Sequence, residues 1–206
     1  MELVAMSNLI ITIARSYGSG GKTIGKMVAE KKNMSYYDRN LIYLSSVQSG
    51  IDIKTISEGV EYQNKRQSLV IPDEGKKYVS KEDVFRSQCA TIHTAAEKGN
   101  CVFIGRCADY ILRNSGHQLL RVFIWAPEED CLKNIMKEFE ITSQEASKMI
   151  KQINKHRADY YEYHSRQRWD NARNYDLCIN TADYNYEQAS ELIIGYADII
   201  SRLKET

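Results

Sequence analysis

The chain of 206 residues is long enough for one hydrophobic core of ordinary size and short for two. With 43% hydrophobic and 27% charged residues it has a globular composition, which excludes a disordered or collagen-like chain. A net charge of +1 excludes a surface built as a whole to coat DNA or an anionic membrane, and leaves room for a local basic patch.

The first apolar run, Leu9 to Ala14, is too short to span a bilayer, and Met1 to Asn8 carries Glu2 and no basic residue, unlike a signal peptide. Its β-branched residues predict a buried strand that opens into a glycine-rich turn. A helix is expected from Thr23 to Lys32, then a short strand over Ser35 to Tyr37. Residues 50–80 lack periodicity and read as an inserted substrate cover. Ser80 is an N-cap candidate for a helix ending at Gly99, with Glu82 and Asp83 favoured in its first turn. Cys101 to Ile104 and Leu119 to Trp125 are the next strands. Thr142 to Glu145 is a capping box opening a long helix through Ile153. Leu177 to Ile179 is a short strand, and Ala189 to Leu203 traces an amphipathic helix. Strands alternating with helices imply an α/β domain with a parallel sheet covered on both faces, and ligands of such sheets bind at the carboxyl ends of the strands.

The five cysteines are scattered and form no CxxC pair, and neither they nor the four histidines cluster at ligand spacing. Reduced thiols in a cytoplasmic protein without zinc are expected. The chemistry is concentrated after the strands. Ser16-Tyr17-Gly18-Ser19-Gly20-Gly21-Lys22-Thr23 follows the first strand, precedes a helix, and fits the phosphate-binding pattern GxxxxGK[ST] except at Ser16. Its glycines let successive N–H groups face phosphate oxygens, Lys22 would reach the outer phosphates, and the Thr23 hydroxyl would hold Mg²⁺. The plainer alternative is a glycine-rich turn without a ligand.

Four blocks carry a resemblance: ITIARSYGSGGKTIGKMVAEKKNMSYYDRNLI at 11–42, VFIGRCADYIL at 102–112, RVFIWAP at 121–127 and KHRADYYEYH at 155–164. Trp169 and YDLCINT at 175–181 complete it. Together they resemble the cytidylate kinase-like family of P-loop nucleotide kinases. The resemblance implies a three-layer P-loop sandwich formed as a single domain over 1–206, with a small lid at 155–173. It implies transfer of the γ-phosphoryl of ATP, with Mg²⁺, to a nucleoside monophosphate, CMP or dCMP above all. Gly18, Ser19, Gly20, Gly21, Lys22 and Thr23 would bind ATP, and Asp38, Arg39 and Arg106 the acceptor. Lys22 and Arg157 would be catalytic. No nucleic acid or membrane partner is expected, and the oligomeric state is open.

The residues themselves leave alternatives. Asp38 could cap a helix. Asp109, three residues after Arg106, reads as its orienting partner. Lys151 to Arg173 holds six basic against three acidic residues, suiting either a lid or a solvated helix face. Tyr160, Tyr161 and Tyr163 read as a packing surface in preference to a stacking platform. Trp125 belongs in the core or beside a base. Cys131 and Asn134 stand where the family pattern carries arginines. These two and Ser16 keep open a weakened nucleotide-binding regulatory protein, and Asp38 as a general base keeps open a kinase of hydroxyl acceptors.

Overall fold

The structure, a computed structural model, describes residues 8–54 and 80–202. Most of the stretch read as an inserted cover, residues 55–79, lies outside the described residues. Strand β1, Leu9–Arg15, is aliphatic and buried at six of its seven positions. A strand of that kind is stable only in the middle of a sheet with both faces covered. It pairs in parallel with β3, Cys101–Ile104, on one side and with β4, Gln118–Trp125, on the other. Strands β2, Ser35–Tyr37, and β5, Leu177–Asn180, form the edges, giving the order β2-β3-β1-β4-β5.

The helices among the described residues are α1, Gly21–Lys31; α2, Asn40–Ser49; α3, Lys81–Glu97; α4, Ala108–Ile111; α5, Glu128–Phe139; α6, Ser143–Ser165; and α7, Tyr186–Arg202. The two-residue period of β1 sorts them into layers. Ile11 and Ile13 join one core with Ile24 and Val28 of α1 and Ile193 and Ala197 of α7. Ile10 joins the opposite core with Leu41 of α2, Ile92 of α3 and Leu112 just after α4. The molecule is therefore a three-layer α/β P-loop sandwich. Its strand order reverses about β1, which opens a crevice at the carboxyl ends of β1 and β3.

Both expected caps form. The Ser80 hydroxyl accepts from Asp83 N, and the Asp83 carboxylate accepts from Ser80 N. Thr142 and Glu145 make the same reciprocal pair, each box contributing about 1 kcal/mol. Helix α6 runs 23 residues, well past Ile153. Aliphatic spacing stops guiding there because the buried face becomes aromatic. Tyr160 and Tyr161 pack with Ile42, Val84 and Cys107. Residues 155–165 of the segment read as a lid are thus the last turns of α6, followed by a loop and a 3₁₀ turn at Ala172–Asn174. The helix α5 was not expected from apolar spacing, although Glu128, Glu129 and Asp130 in its first turn suit the positive end of a helix. Trp125 is 40% exposed at the end of β4, which corrects its placement in the core.

Helix α6 is held to α3 by rings. Phe85 stacks on His164 with centroids 3.7 Å apart, Tyr160 meets His164 edge-on at 4.6 Å, and the Tyr160 hydroxyl donates to Gln88. Burial pushes the His164 imidazole down to about 4. Histidine in an unfolded chain takes its proton near 6.5, so between these values the unfolded state binds more protons. Stability is then full above about 6.5 and falls as pH drops, the loss being complete below about 4. With allowance for partial solvent screening the expected loss is ~1–2 kcal/mol. Urea unfolding near pH ~7.5 and ~4.5 should show His164→Phe losing less stability than the wild type by that amount. Equal losses would show that His164 does not titrate in this window.

Candidate active site

Residues 16–20 turn out of β1 into α1 through two left-handed glycines, Gly18 at φ 86° and Gly20 at φ 78°. A side chain at Gly18 would meet the Cys131 backbone 2.8 Å away, and one at Gly20 would collide with the Tyr186 ring. Only glycine therefore gives this loop its curvature in this space. The loop is braced from four elements. The Ser19 hydroxyl donates to Ser16 O and Ile124 O, and Thr181 Oγ1 donates to Ser19 O at 3.0 Å. Asn134 Nδ2 donates to Gly18 O at 2.8 Å. Asn154 Oδ1 accepts from Tyr17 N at 2.7 Å. Lys22 and Thr23 stand exposed in the first turn of α1.

The loop borders a cleft of about 350 Å³. Arg15, Asp38, Arg39, Arg106 and Arg157 line one part of it, and Tyr17, Tyr160, Tyr161 and Trp169 supply an aromatic wall. Asp38 is buried and its carboxylate lies 3.0 Å from Lys22 Nζ. It does not cap α2, whose start has no side-chain capping bond, so the capping alternative is corrected. Arg106 sits in a run of three left-handed residues, Gly105, Arg106 and Cys107, at φ 68°, 62° and 55°. Two of these are not glycine and cost roughly 1–2 kcal/mol each, strain of the kind that gathers at functional sites. Arg157 Nη1 donates to Arg15 O at 2.8 Å, and its guanidinium lies 5.4 Å from the Tyr17 ring centre. Burial, with Arg15 and Arg106 nearby, holds Arg157 well below the usual arginine range. Burial pushes Arg15 down to about 10, against the opposing pull of Asp38.

The cleft and the loop beside it bring together Gly18 to Thr23, Asp38, Arg39, Arg106 and Arg157, whereas Trp125 and Tyr163 lie outside them. The partner shown for Asp109 is different from the expected one. Its buried carboxylate accepts from the Tyr161 hydroxyl at 2.6 Å, and burial raises its pKa. Cys131 is buried with Ile135, Ala146 and Ile150 beneath the loop, next to Tyr17. With Asn134 it braces the loop, a use that a comparison of charges alone does not reveal. Four residues were given no role of their own by the sequence reading: Arg15, Tyr17, Asn154 and Thr181. Arg15 left one signal, a charge ending an apolar strand at the edge where ligands bind.

Mg²⁺ is commonly held by one or two carboxylates together with substrate phosphates. The Thr23 hydroxyl and the Asp38 carboxylate, both next to Lys22, fit that mode. A protein-only metal cage does not form among the described residues, where no group of three or more His, Cys, Asp or Glu converges.

A phosphate-binding loop beside a basic cleft, at the switch point of a parallel sheet, defines a kinase of nucleotides or small molecules. The model of the cytidylate kinase-like family matches residues 10–183, and the chain belongs to that family. It is 27% identical over 197 residues to a cytidylate kinase of Methanocaldococcus jannaschii, covering 94% of this chain and 100% of that one. It is 25% identical over 194 residues to an S-adenosylmethionine-dependent nucleotide dehydratase of Lacinutrix mariniflava, covering 90% of this chain and 35% of that protein. The crystal structure of an uncharacterized protein from Eubacterium ventriosum superposes with a TM-score of 0.71 at 25% identity, over 92% of this chain and 98% of that one.

If Asn134 braces the loop, removing its amide should loosen the phosphate site without unfolding the exposed start of α1. Asn134→Ala is expected to weaken ATP binding about five- to tenfold, the value of one hydrogen bond. Calorimetric titration checks this, and unchanged affinity would show that the loop keeps its shape without Asn134.

Proposed function

We propose that this chain is a cytoplasmic nucleoside monophosphate kinase that uses ATP with Mg²⁺ and takes CMP or dCMP as acceptor. The observation that carries the reading is the cleft itself. Four arginines line it around Asp38, and aromatic rings complete its wall. Guanidinium groups suit a doubly charged phosphate, and rings suit a base. A neutral hydroxyl acceptor would leave this charge unmatched and would require a general base. The carboxylate best placed for that task, Asp38, is engaged with Lys22. The relation to a cytidylate kinase supports the base preference.

In this reading the backbone N–H groups of Gly18 to Thr23 and the Lys22 ammonium hold the donor phosphates. Arg39 and Arg106 hold the acceptor phosphate. Thr23 and Asp38 would hold Mg²⁺ together with the donor phosphates, and the ion would supply neutralisation of charge. An acceptor phosphate oxygen forms a bond to the γ-phosphorus while the bond to the β–γ bridging oxygen breaks, and ADP departs with that electron pair. No proton needs to be removed, because the acceptor is already ionised. Catalysis is then positioning and charge stabilisation, with Arg157 facing the reacting groups and residues 155–173 covering them.

An ADP-release screen over monophosphates, nucleosides and small hydroxyl acceptors tests the assignment. CMP and dCMP should give the highest kcat/KM, and turnover confined to hydroxyl acceptors would overturn it. Lys22→Ala should lower kcat by about 10²–10³ in a folded protein, as for loss of one preorganised donor. Near-normal turnover would remove Lys22 from the chemistry. Arg106→Ala should cost about 1.5–3 kcal/mol in use of the monophosphate, with a much smaller effect on ATP affinity. Equal losses for both substrates would place Arg106 with the donor or in the scaffold.

A further inference from the structure

Arg15 is a half-buried guanidinium that the roles above leave unused. Among the described residues its guanidinium has no hydrogen bond and no ion pair, although burial makes an unpartnered charge costly. Asp38 is near enough to pull its pKa upward, and Arg106 and Arg39 are near enough to push it down. Its path is unusual. A side chain at Gly21, in the first turn of α1, would meet Arg15 Cβ at 2.5 Å and Cγ at 3.0 Å. A side chain at Gly105, ahead of Arg106, would collide with Arg15 Nη1 and lie 3.4 Å from Cζ. The Arg15 stem therefore lies against the donor loop and its tip against the acceptor turn, with a glycine clearing the way at each end. The Arg157 bond to Arg15 O holds the backbone from which it starts.

We propose that Arg15 is a catalytic residue whose guanidinium binds the phosphoryl group in transit, touching the γ-phosphoryl of ATP and the acceptor phosphate at once. The inference rests on the monophosphate kinase reading and adds to it a residue reaching from the central strand. As the bond to the acceptor oxygen forms and the bond to the bridging oxygen breaks, negative charge spreads over the equatorial oxygens. A fork of fixed N–H donors matches that arrangement, whereas an ammonium meets it as a point charge. Pairing with two phosphates also supplies the partner that the half-buried guanidinium lacks.

The experiment compares wild type, Arg15→Met and Arg15→Lys with ATP and CMP, after thermal melting has shown which variants fold. Arg15→Met should lower kcat about 100-fold or more, with the dissociation constant of ATP changed less than about threefold. Arg15→Lys, which keeps the stem and the charge, should regain less than about a tenth of the lost rate. Added guanidinium ion at non-denaturing concentration should restore part of the Arg15→Met rate and none of the wild-type rate, a response that a packing role does not produce. If Arg15→Met does not fold, Arg15→Lys decides. A folded variant, Met or Lys, whose kcat lies within about threefold of wild type overturns the proposal and leaves the kinase reading intact. Loss of kcat together with an equal loss of ATP affinity, unrescued by guanidinium, also overturns it, placing Arg15 in the support of the donor loop. A wild type that turns over no monophosphate overturns the reading and this inference with it.

Discussion

Four guanidinium groups line one cleft with a buried carboxylate at the carboxyl ends of β1, β2 and β3, and their mutual repulsion is the constraint on which the site depends. Two like charges ~6 Å apart repel by about 3 kcal/mol at an effective dielectric constant near 20. No flexible surface would keep such a cluster together. Here three of the four charges have different restraints. Arg15 extends from the strand at the centre of the sheet. Arg106 is projected from a left-handed turn that follows a fully buried strand. Arg157 is tied to Arg15 O and lies near the Tyr17 ring. The buried sheet supplies the free energy that offsets the strain and the repulsion. A polyanionic ligand removes the repulsion, so the cleft is complementary to phosphate before any contact is made.

The donor loop and the cleft are mechanically joined. Tyr17 N is held by Asn154 and Arg15 O by Arg157, and both holding residues lie one turn apart on α6. The same helix is locked to α3 through Phe85, Tyr160 and His164. A displacement of the last turns of α6 is therefore felt at residues 15 and 17, between the strand and the phosphate loop. On the other side Asn134 of α5 and Thr181 after β5 hold Gly18 O and Ser19 O. Four separate elements thus fix a loop whose own sequence is mostly glycine and serine, which is how a chain with high conformational freedom can be preorganised for an anion.

The sheet was legible because its signals are local. The β-branched run 9–14, the Ser80 and Thr142 caps and the glycine-rich turn each act within a few residues. So was the placement of Lys22, Asp38, Arg39 and Arg106, since a parallel sheet directs chemistry to strand ends whatever the strand order. What stayed hidden depends on contacts between distant residues. Asn154 and Tyr17, or Asn134 and Gly18, are more than 100 positions apart. No pattern marks an asparagine as the brace of a remote loop. The second half of α6 was missed for another reason. Tyr160 and Tyr161 bury their rings while their hydroxyls bond Gln88 and Asp109, so the packing surface expected of these two forms, but on a helix that aliphatic spacing does not trace. Cys131 and Asn134 show the limit of reading by charge. Judged as missing arginines they weaken a site, whereas in the structure they shape and brace its phosphate loop.

The engagement of Asp38 narrows the chemistry of the cleft further. A kinase of hydroxyl groups needs a carboxylate with a free oxygen lone pair directed at the acceptor, in a setting that allows it to take up a proton. Asp38 lies 3.0 Å from the Lys22 ammonium, in the cleft that Arg15 and Arg157 also line. A carboxylate so placed serves as a counter-ion to Lys22. An acceptor that brings its own negative charge suits such a cleft, because its cations outnumber the one carboxylate that pairs with Lys22, and this supports the proposed monophosphate reading. A monophosphate satisfies that condition and arrives without a proton to lose.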